Sequence, residues 1–292
     1  MMTANKELQN KILEIFKEFK KICNENQLKY YAIGGTCIGA IRHKGFIPWD
    51  DDLDVAMPIE DYEKFREIAK EKLPSKYKII DYIGNNEYFF NFIKIEDTTT
   101  TFVEPGEINN IKRYKGVYID IMPITGICKN KIKANIFKFR YYMNSKYNKN
   151  IKIKYKDKTS PKGKIFWILS RAVFLFKKKD YYSRKFDKLC KKYKVCDKND
   201  ILFAWRIPLR KPYSNIFDYE DFKGTCEVDF EDTKISVPIG YDNYLKKDLG
   251  DYMRIPPESK RVCHNPAILD LENSYITYIE KAKEDNNGKN NK

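Results

Sequence analysis

Paired cysteine motifs are missing from this chain, and so are long apolar runs and internal repeats. Cys23, Cys37, Cys128, Cys190, Cys196, Cys226 and Cys263 form an odd set with no CxxC pair, which fits a reducing cytoplasm better than a disulfide framework. Zinc coordination is not expected either. Cys263 and His264 are adjacent, and Cys190 and Cys196 lack partners at ligand spacing. No N-terminal apolar stretch leads into a small-residue cleavage site, so no secretory signal is expected. The longest apolar run, residues 165–176, contains Ser170 and Arg171 and is too short to span a bilayer.

Charge is present in quantity and unevenly placed. Of 56 Lys/Arg and 41 Asp/Glu, 24 and 4 respectively fall in residues 129–198, so this stretch carries +20 and the remainder −5. A basic block interleaved with aromatic residues seeks an acidic partner, whether a membrane surface, nucleic acid or a polyanionic polymer. No zinc or RRM-like signature accompanies it, which argues against nucleic acid.

Four regions follow from these shifts in composition: 1–128, the basic insert 129–198, a C-terminal part 199–280, and a polar tail 281–292 expected to be disordered. Apolar residues at Leu8, Ile12, Ile15, Phe16, Phe19 and Ile22 recur at helical spacing and predict a helix over 5–26. Strands are expected at 28–33, 52–57, 77–83, 88–96 and 117–122, and helices from Thr36, over 58–73 and near 241–252. The insert reads as largely helical. Its residues Phe166, Leu169, Val173 and Phe176 share a helix face that either packs on the rest of the protein or, with Lys177–Lys179, lies on an anionic membrane.

The densest chemical signal is the run Asp50-Asp51-Asp52-Leu53-Asp54. On a strand beginning at Asp52, positions i and i+2 share a face, so Asp52 and Asp54 point together while Leu53 and Val55 enter the core. A strand starting earlier adds Asp50 to that face. Like charges so close ionise together only around a cation, and hard carboxylate oxygens suit Mg²⁺ or Mn²⁺. Asp120 is a lone acid in the apolar strand Val117-Tyr-Ile-Asp-Ile-Met122 and needs a cation or hydrogen-bond donors if it is buried. Asp52, Asp54 and Asp120 are therefore the candidate catalytic and metal-binding acids.

Gly34-Gly35-Thr36 lies between strand and helix, where backbone N–H groups can meet a phosphate and Thr36 can either cap the helix or touch it. Arg42, His43 and Lys44 follow, placed to neutralise a diphosphate or simply to end the helix. Trp49 either packs in the core, the reading that aromatic burial favours, or lines a pocket for a base or a quaternary ammonium.

Gly34-Gly-Thr-Cys-Ile-Gly-Ala-Ile-Arg-His-Lys-Gly-Phe-Ile-Pro-Trp-Asp-Asp-Asp-Leu-Asp54 resembles the LicD family of the nucleotidyltransferase superfamily, to which fukutin-like proteins are related. Tyr241-Asp-Asn-Tyr-Leu, Gly250-Asp-Tyr-Met-Arg-Ile-Pro-Pro257 and the surroundings of Lys94 support it, and the likeness is thin over the basic insert. The resemblance implies an α+β fold, a nucleotidyltransferase-like mixed sheet flanked by helices with a mainly helical basic insert. It also implies transfer of a phospho-alcohol from a CDP-activated donor, typically phosphocholine from CDP-choline, to a hydroxyl of a cell-surface glycan, teichoic acid or lipid-linked precursor. Fukutin-like relatives use CDP-ribitol instead. Asp52 and Asp54 map to the metal pair and Asp120 to the third carboxylate, while Arg42, His43, Lys94, Arg261 and His264 are further candidates for substrate binding. An NTP-dependent nucleotidyltransferase would use the same three acids.

Overall fold

The computed structural model describes residues 6–85, 88, 90–111, 114–152, 161–172, 180–204, 215–261 and 263–281. Helix α1, Lys6–Glu25, buries Leu8, Ile12, Ile15, Phe16, Phe19 and Ile22 as the spacing requires. Each such side chain contributes roughly 1.5–3 kcal/mol on leaving water. Strand β1, Tyr31–Ala32, is followed directly by α2, Gly34–Ile38, and by one π-helical turn, Gly39–His43, that ends at Lys44 with φ 54°. Next come β2, Asp54–Pro58, α3, Ile59–Lys72, and the strands β3, Tyr77–Ile80, β4, Ile93–Val103, and β5, Lys115–Cys128.

These strands share one sheet in the order β1-β2-β5-β4, with β3 on β4. Only β2 and β5 run parallel, and the register sets Asp54 opposite Asp120. β4 is antiparallel to β5 with Lys94 opposite Asp120 and Glu96 opposite Tyr118. The expected alternation of β2 is absent: Val55, Ala56 and Met57 are all buried. A strand between two neighbours, with both α2 and α3 packed on it, has no solvent face.

The insert contributes α4, Lys131–Lys152, α5, Pro161–Ala172, and α6, Tyr181–Cys190. Phe137 and Tyr141 of α4 and Phe186 and Cys190 of α6 are buried in the common core. The opposite side is another matter. Ile132, Ile136 and Phe139 on α4 and Ile165, Ile168 and Leu169 on α5 are all more than half exposed. Leu169 therefore does not pack on the core. The side chain of Phe166, together with Val173, Phe176 and Lys177–Lys179, lies outside the described residues, as does the tail from 282.

After the insert the chain returns to the sheet. β6, Asn199–Phe203, pairs with β5, and β7, Ile216–Phe217, with β6. The short α7, Tyr219–Phe222, precedes a hairpin of β8, Thr225–Phe230, and β9, Thr233–Pro238, which is followed by α8, Tyr241–Leu249. β10, Ile268–Asp270, closes the edge of β4. The mixed sheet with flanking helices is the α+β architecture expected.

Candidate active site

Asp54 opens β2, rather than Asp52 as the alternation suggested. Asp50, Asp51 and Asp52 belong to the preceding loop, so the strand argument for a shared face of Asp52 and Asp54 does not apply. A different device brings the acids together. The buried Gln9 of α1 donates from Nε2 to the carbonyls of Ile47 (3.3 Å) and Asp50 (2.9 Å), pinning the loop to the body. The Thr36 hydroxyl accepts the Asp54 N–H at 2.8 Å, and the Asp120 N–H donates to the Leu53 carbonyl at 3.0 Å. The loop is thereby fastened on three sides at the head of β2.

The electrostatics record the crowding. Burial and then the charges of Asp52 and Asp120 push the Asp54 carboxyl well above the usual range. Asp50 is driven up to about 8 by burial, the Asp52 charge and a hydrogen bond between the two carboxyls. Asp120 is also raised, by burial and Asp52, against the pull of Lys94. Lys94 is 2% exposed, and its Nζ lies 2.5 Å from Asp120 Oδ1 and 3.5 Å from the Tyr118 ring centroid. Burial lowers its pKa while Asp120 opposes that. Tyr118 in turn donates to Glu104 at 3.1 Å, and Glu104 and Glu107 clamp Lys115 at 3.0 and 2.6 Å.

Lys94 and His264 face four crowded acids, three of which hold their protons more tightly than usual, so ionising all four calls for a further cation. Hard oxygen donors in charge excess fit Mg²⁺ or Mn²⁺. Among the described residues no three His, Cys, Asp or Glu side chains converge on one metal-sized point, and Asp120 is turned to Lys94. The donor set instead fits an ion that takes one or two carboxylates and completes its shell with water and substrate phosphates, as Mg²⁺ commonly does.

The glycine turn differs in detail from its sequence reading. The helix begins at Gly34, not Thr36, and Gly34 has φ 53°, a conformation L side chains resist. Its N–H donates to the Tyr244 hydroxyl at 2.9 Å. Thr36 caps no helix, because its oxygen is used on Asp54. A Cβ at Gly35 would stand 2.7 Å from Asp50 Oδ2, so glycine here admits a carboxylate against the backbone.

The cations of the following segment separate. Arg42 donates to the carbonyls of Tyr252 (2.6 Å) and Arg254 (3.3 Å) and to His43 Nε2 (3.0 Å), and so ties down the chain after α8. Lys44 is exposed and lines a shallow cavity with Glu227, Asp229 and Tyr241, beside the β8–β9 hairpin. Trp49 is half-buried and outside the hydrophobic core. Arg261 lies over its ring at 4.5 Å and His43 meets it edge-on at 6.4 Å, and a guanidinium on the indole face leaves the residue at the surface.

Asp51, which strand spacing would have pointed away, is the anchor for His264. Its carboxylate accepts the His264 N–H at 3.0 and 2.9 Å and contacts Nδ1 at 3.0 Å. That bond draws the His264 pKa up to about 9 against its burial. Burial acts to raise Asp51, but the bonds from His264 outweigh it and hold the carboxyl below its ordinary value. His264 Nδ1 is also 3.8 Å from Asp52 Oδ2. Tyr118 had a signal in the sequence, since it stands two residues before Asp120 on the same strand face. Tyr244 lay within the quoted segment 241–245 without a role of its own, and Gln9 had no signal, because it arrives from a helix remote in sequence.

Residues 27–159 match the LicD/FKTN/FKRP nucleotidyltransferase-domain family. The lipopolysaccharide cholinephosphotransferase LicD of Haemophilus influenzae is 29% identical over 286 residues, covering 93% of this chain and 97% of that protein. Shorter matches are to an uncharacterized protein of Rickettsia typhi, 35% identical over 68 residues (23% of this chain, 22% of that one), and to one of Rickettsia prowazekii, 31% over 83 residues (28% and 29%).

Proposed function

We infer the reaction from one premise: the chain belongs to the LicD/FKTN/FKRP nucleotidyltransferase family and is a transferase. Our reading is that it moves phosphocholine from CDP-choline to a hydroxyl of lipopolysaccharide or a lipid-linked glycan precursor, releasing CMP. The observation that carries it is the meeting of Asp54, Asp120 and Lys94 in register on three adjacent strands, beside Asp52. It is supported by the near full-length similarity to a cholinephosphotransferase.

Mg²⁺ or Mn²⁺ held by Asp52 and Asp54 would act as a Lewis acid toward the donor's diphosphate. Lys94, buried and paired with Asp120, would lend positive charge to the site of the transferred phosphoryl group. Asp120, with its affinity for a proton raised, is suited to accept one from the attacking hydroxyl. Thr36 and Gly35 shape the head of β2, and Arg42 and His264 hold the C-terminal segment over the loop.

The test is to incubate the protein with Mg²⁺ and CDP-choline, CDP-ribitol or CDP-glycerol, each with a glycan acceptor, and to measure CMP. Release from CDP-choline with a phosphocholine-bearing product is expected. Release from another donor only, or pyrophosphate from an NTP, would replace this reading.

The same reading places the protein against an anionic membrane. No helix among the described residues is long and apolar enough to cross one. The exposed rows Ile132, Ile136, Phe139 and Ile165, Ile168, Leu169 follow helical spacing on two helices of the segment that carries +20. An apolar stripe with flanking lysines suits the headgroup boundary, where each Lys or Arg contributes about 1 kcal/mol. A lipid-linked acceptor would lie at that surface.

A further inference from the structure

A cavity of about 500 Å³ opens against β3 and β4, with Phe90 and Glu96 in its lining. Its floor is formed by β3 and β4, where Ile80 stands opposite Lys94 and Lys78 opposite Glu96. Lys94 and Glu96, two residues apart on β4, share the sheet face that carries Asp120 and Tyr118. The cavity and the carboxylates therefore occupy one side of the sheet.

The wall is made of rings and acids: Tyr88, Phe90, Tyr114 and Tyr275 with Glu96 and Glu107. Several are held in place. Tyr275 donates to Glu96 Oε1 at 3.1 Å, Tyr114 donates to the Ile108 carbonyl at 2.9 Å, and the rings of Tyr88 and Phe90 meet at 5.6 Å. Two lysines also line it. Lys115 is engaged by Glu104 and Glu107, and Lys78 is exposed. Phe90 connects the two spaces, since its ring centroid is 5.4 Å from the Lys94 ammonium that pairs with Asp120.

We infer that this cavity receives the trimethylammonium end of the donor, an inference that rests on the phosphocholine reading above. A quaternary ammonium has no N–H to donate and sheds water readily, and it is attracted to the negative faces of aromatic rings. A wall of rings backed by carboxylates matches that chemistry, and the volume is within the range of small-ligand sites. The ethylene spacer of choline keeps the ammonium within a few bonds of the phosphorus, so its pocket must adjoin the phosphoryl site, as this one does through Lys94. The indole of Trp49, the other candidate, already has the Arg261 guanidinium on it.

The experiment is calorimetric titration of the full chain with CDP-choline and with CMP, repeated in excess tetramethylammonium and with the variants Phe90→Leu and Tyr275→Leu. Leucine keeps apolar bulk and removes the ring. Tetramethylammonium should weaken CDP-choline binding and leave CMP binding unchanged, and each variant should lose about tenfold in affinity for CDP-choline relative to CMP. The competition needs no variant, so it remains decisive if one of them fails to fold. Displacement by a free hexose but not by tetramethylammonium would overturn the inference, as would variants that bind CDP-choline as the native chain does. If the native chain still cleaves CDP-choline in those cases, the cavity alone is misassigned. If it cleaves CDP-ribitol and neither binds nor cleaves CDP-choline, the phosphocholine reading fails and the inference with it.

Discussion

Asp54 and Asp120 stand directly opposite each other on the parallel strands β2 and β5, and Lys94 on β4 completes the row. Parallel pairing brings two acids from distant parts of the chain to one level, and the sheet's depth raises the proton affinity of both. Asp54→Asn and Asp52→Asn should each lower Mg²⁺-dependent CMP release by at least about a hundredfold with the circular dichroism spectrum unchanged, because Asn keeps the shape and loses the charge. Near-native turnover in either would remove that residue from the site.

Lys94→Met leaves the Asp120 carboxylate buried without its counter-charge. Breaking such a pair costs about 3–5 kcal/mol, so the variant should melt well below the native protein. The double variant Lys94→Met with Asp120→Leu should recover much of that loss while remaining inactive. Equal melting of single and double variants would show that the pair is not coupled.

Asp50 binds protons more tightly folded than unfolded, its value being about 8 against an ordinary one near ~4. The folded state therefore holds the extra proton, and stability falls as pH rises between those values. Without divalent metal, Asp50→Asn should raise Tm at pH 8 by several degrees, and the gain should vanish near pH 4. A gain independent of pH would contradict the assignment.

His264 is raised to about 9, so the stabilisation from its contact with Asp51 is fully present below its unfolded value of about 6.5 and is lost as pH climbs through 9. Burial and the neighbouring Arg42 lower His43 instead. With only two histidines in the chain, proton NMR should show one titration on each side of 6.5. The Tm deficit of His264→Ala should shrink between pH 7 and pH 10. Two histidines titrating together near 6.5 would exclude the bond to Asp51.

For the α4–α5 surface, the protein should co-sediment with phosphatidylglycerol vesicles at low salt and dissociate as salt rises. Ile136→Ser with Phe139→Ser should weaken this severalfold without changing CMP release from soluble donor. Retention in the supernatant at low salt would assign the stripe to another role.

Helix α1 was legible from sequence because one periodic face decides its burial, and the acid run was legible because so many like charges need a counter-charge. The resemblance to the LicD family was legible because the segment from Gly34 to Asp54 carries the glycine turn, the basic residues and the acid run in one short stretch. What the sequence could not determine was where β2 begins. Strand alternation assigned Asp52 and Asp54 to one face, whereas the chain enters the sheet only at Asp54, and Asp52 arrives from a loop pinned by Gln9 and Thr36. Local pattern gave no sign of the contacts of Trp49 and Asp51, because their partners Arg261 and His264 lie far along the chain. Local pattern reports how a residue sits on its own element. Which element lies opposite, and so whether an acid meets a metal, a lysine or a histidine, is settled only when the sheet closes and sequence separation no longer measures distance.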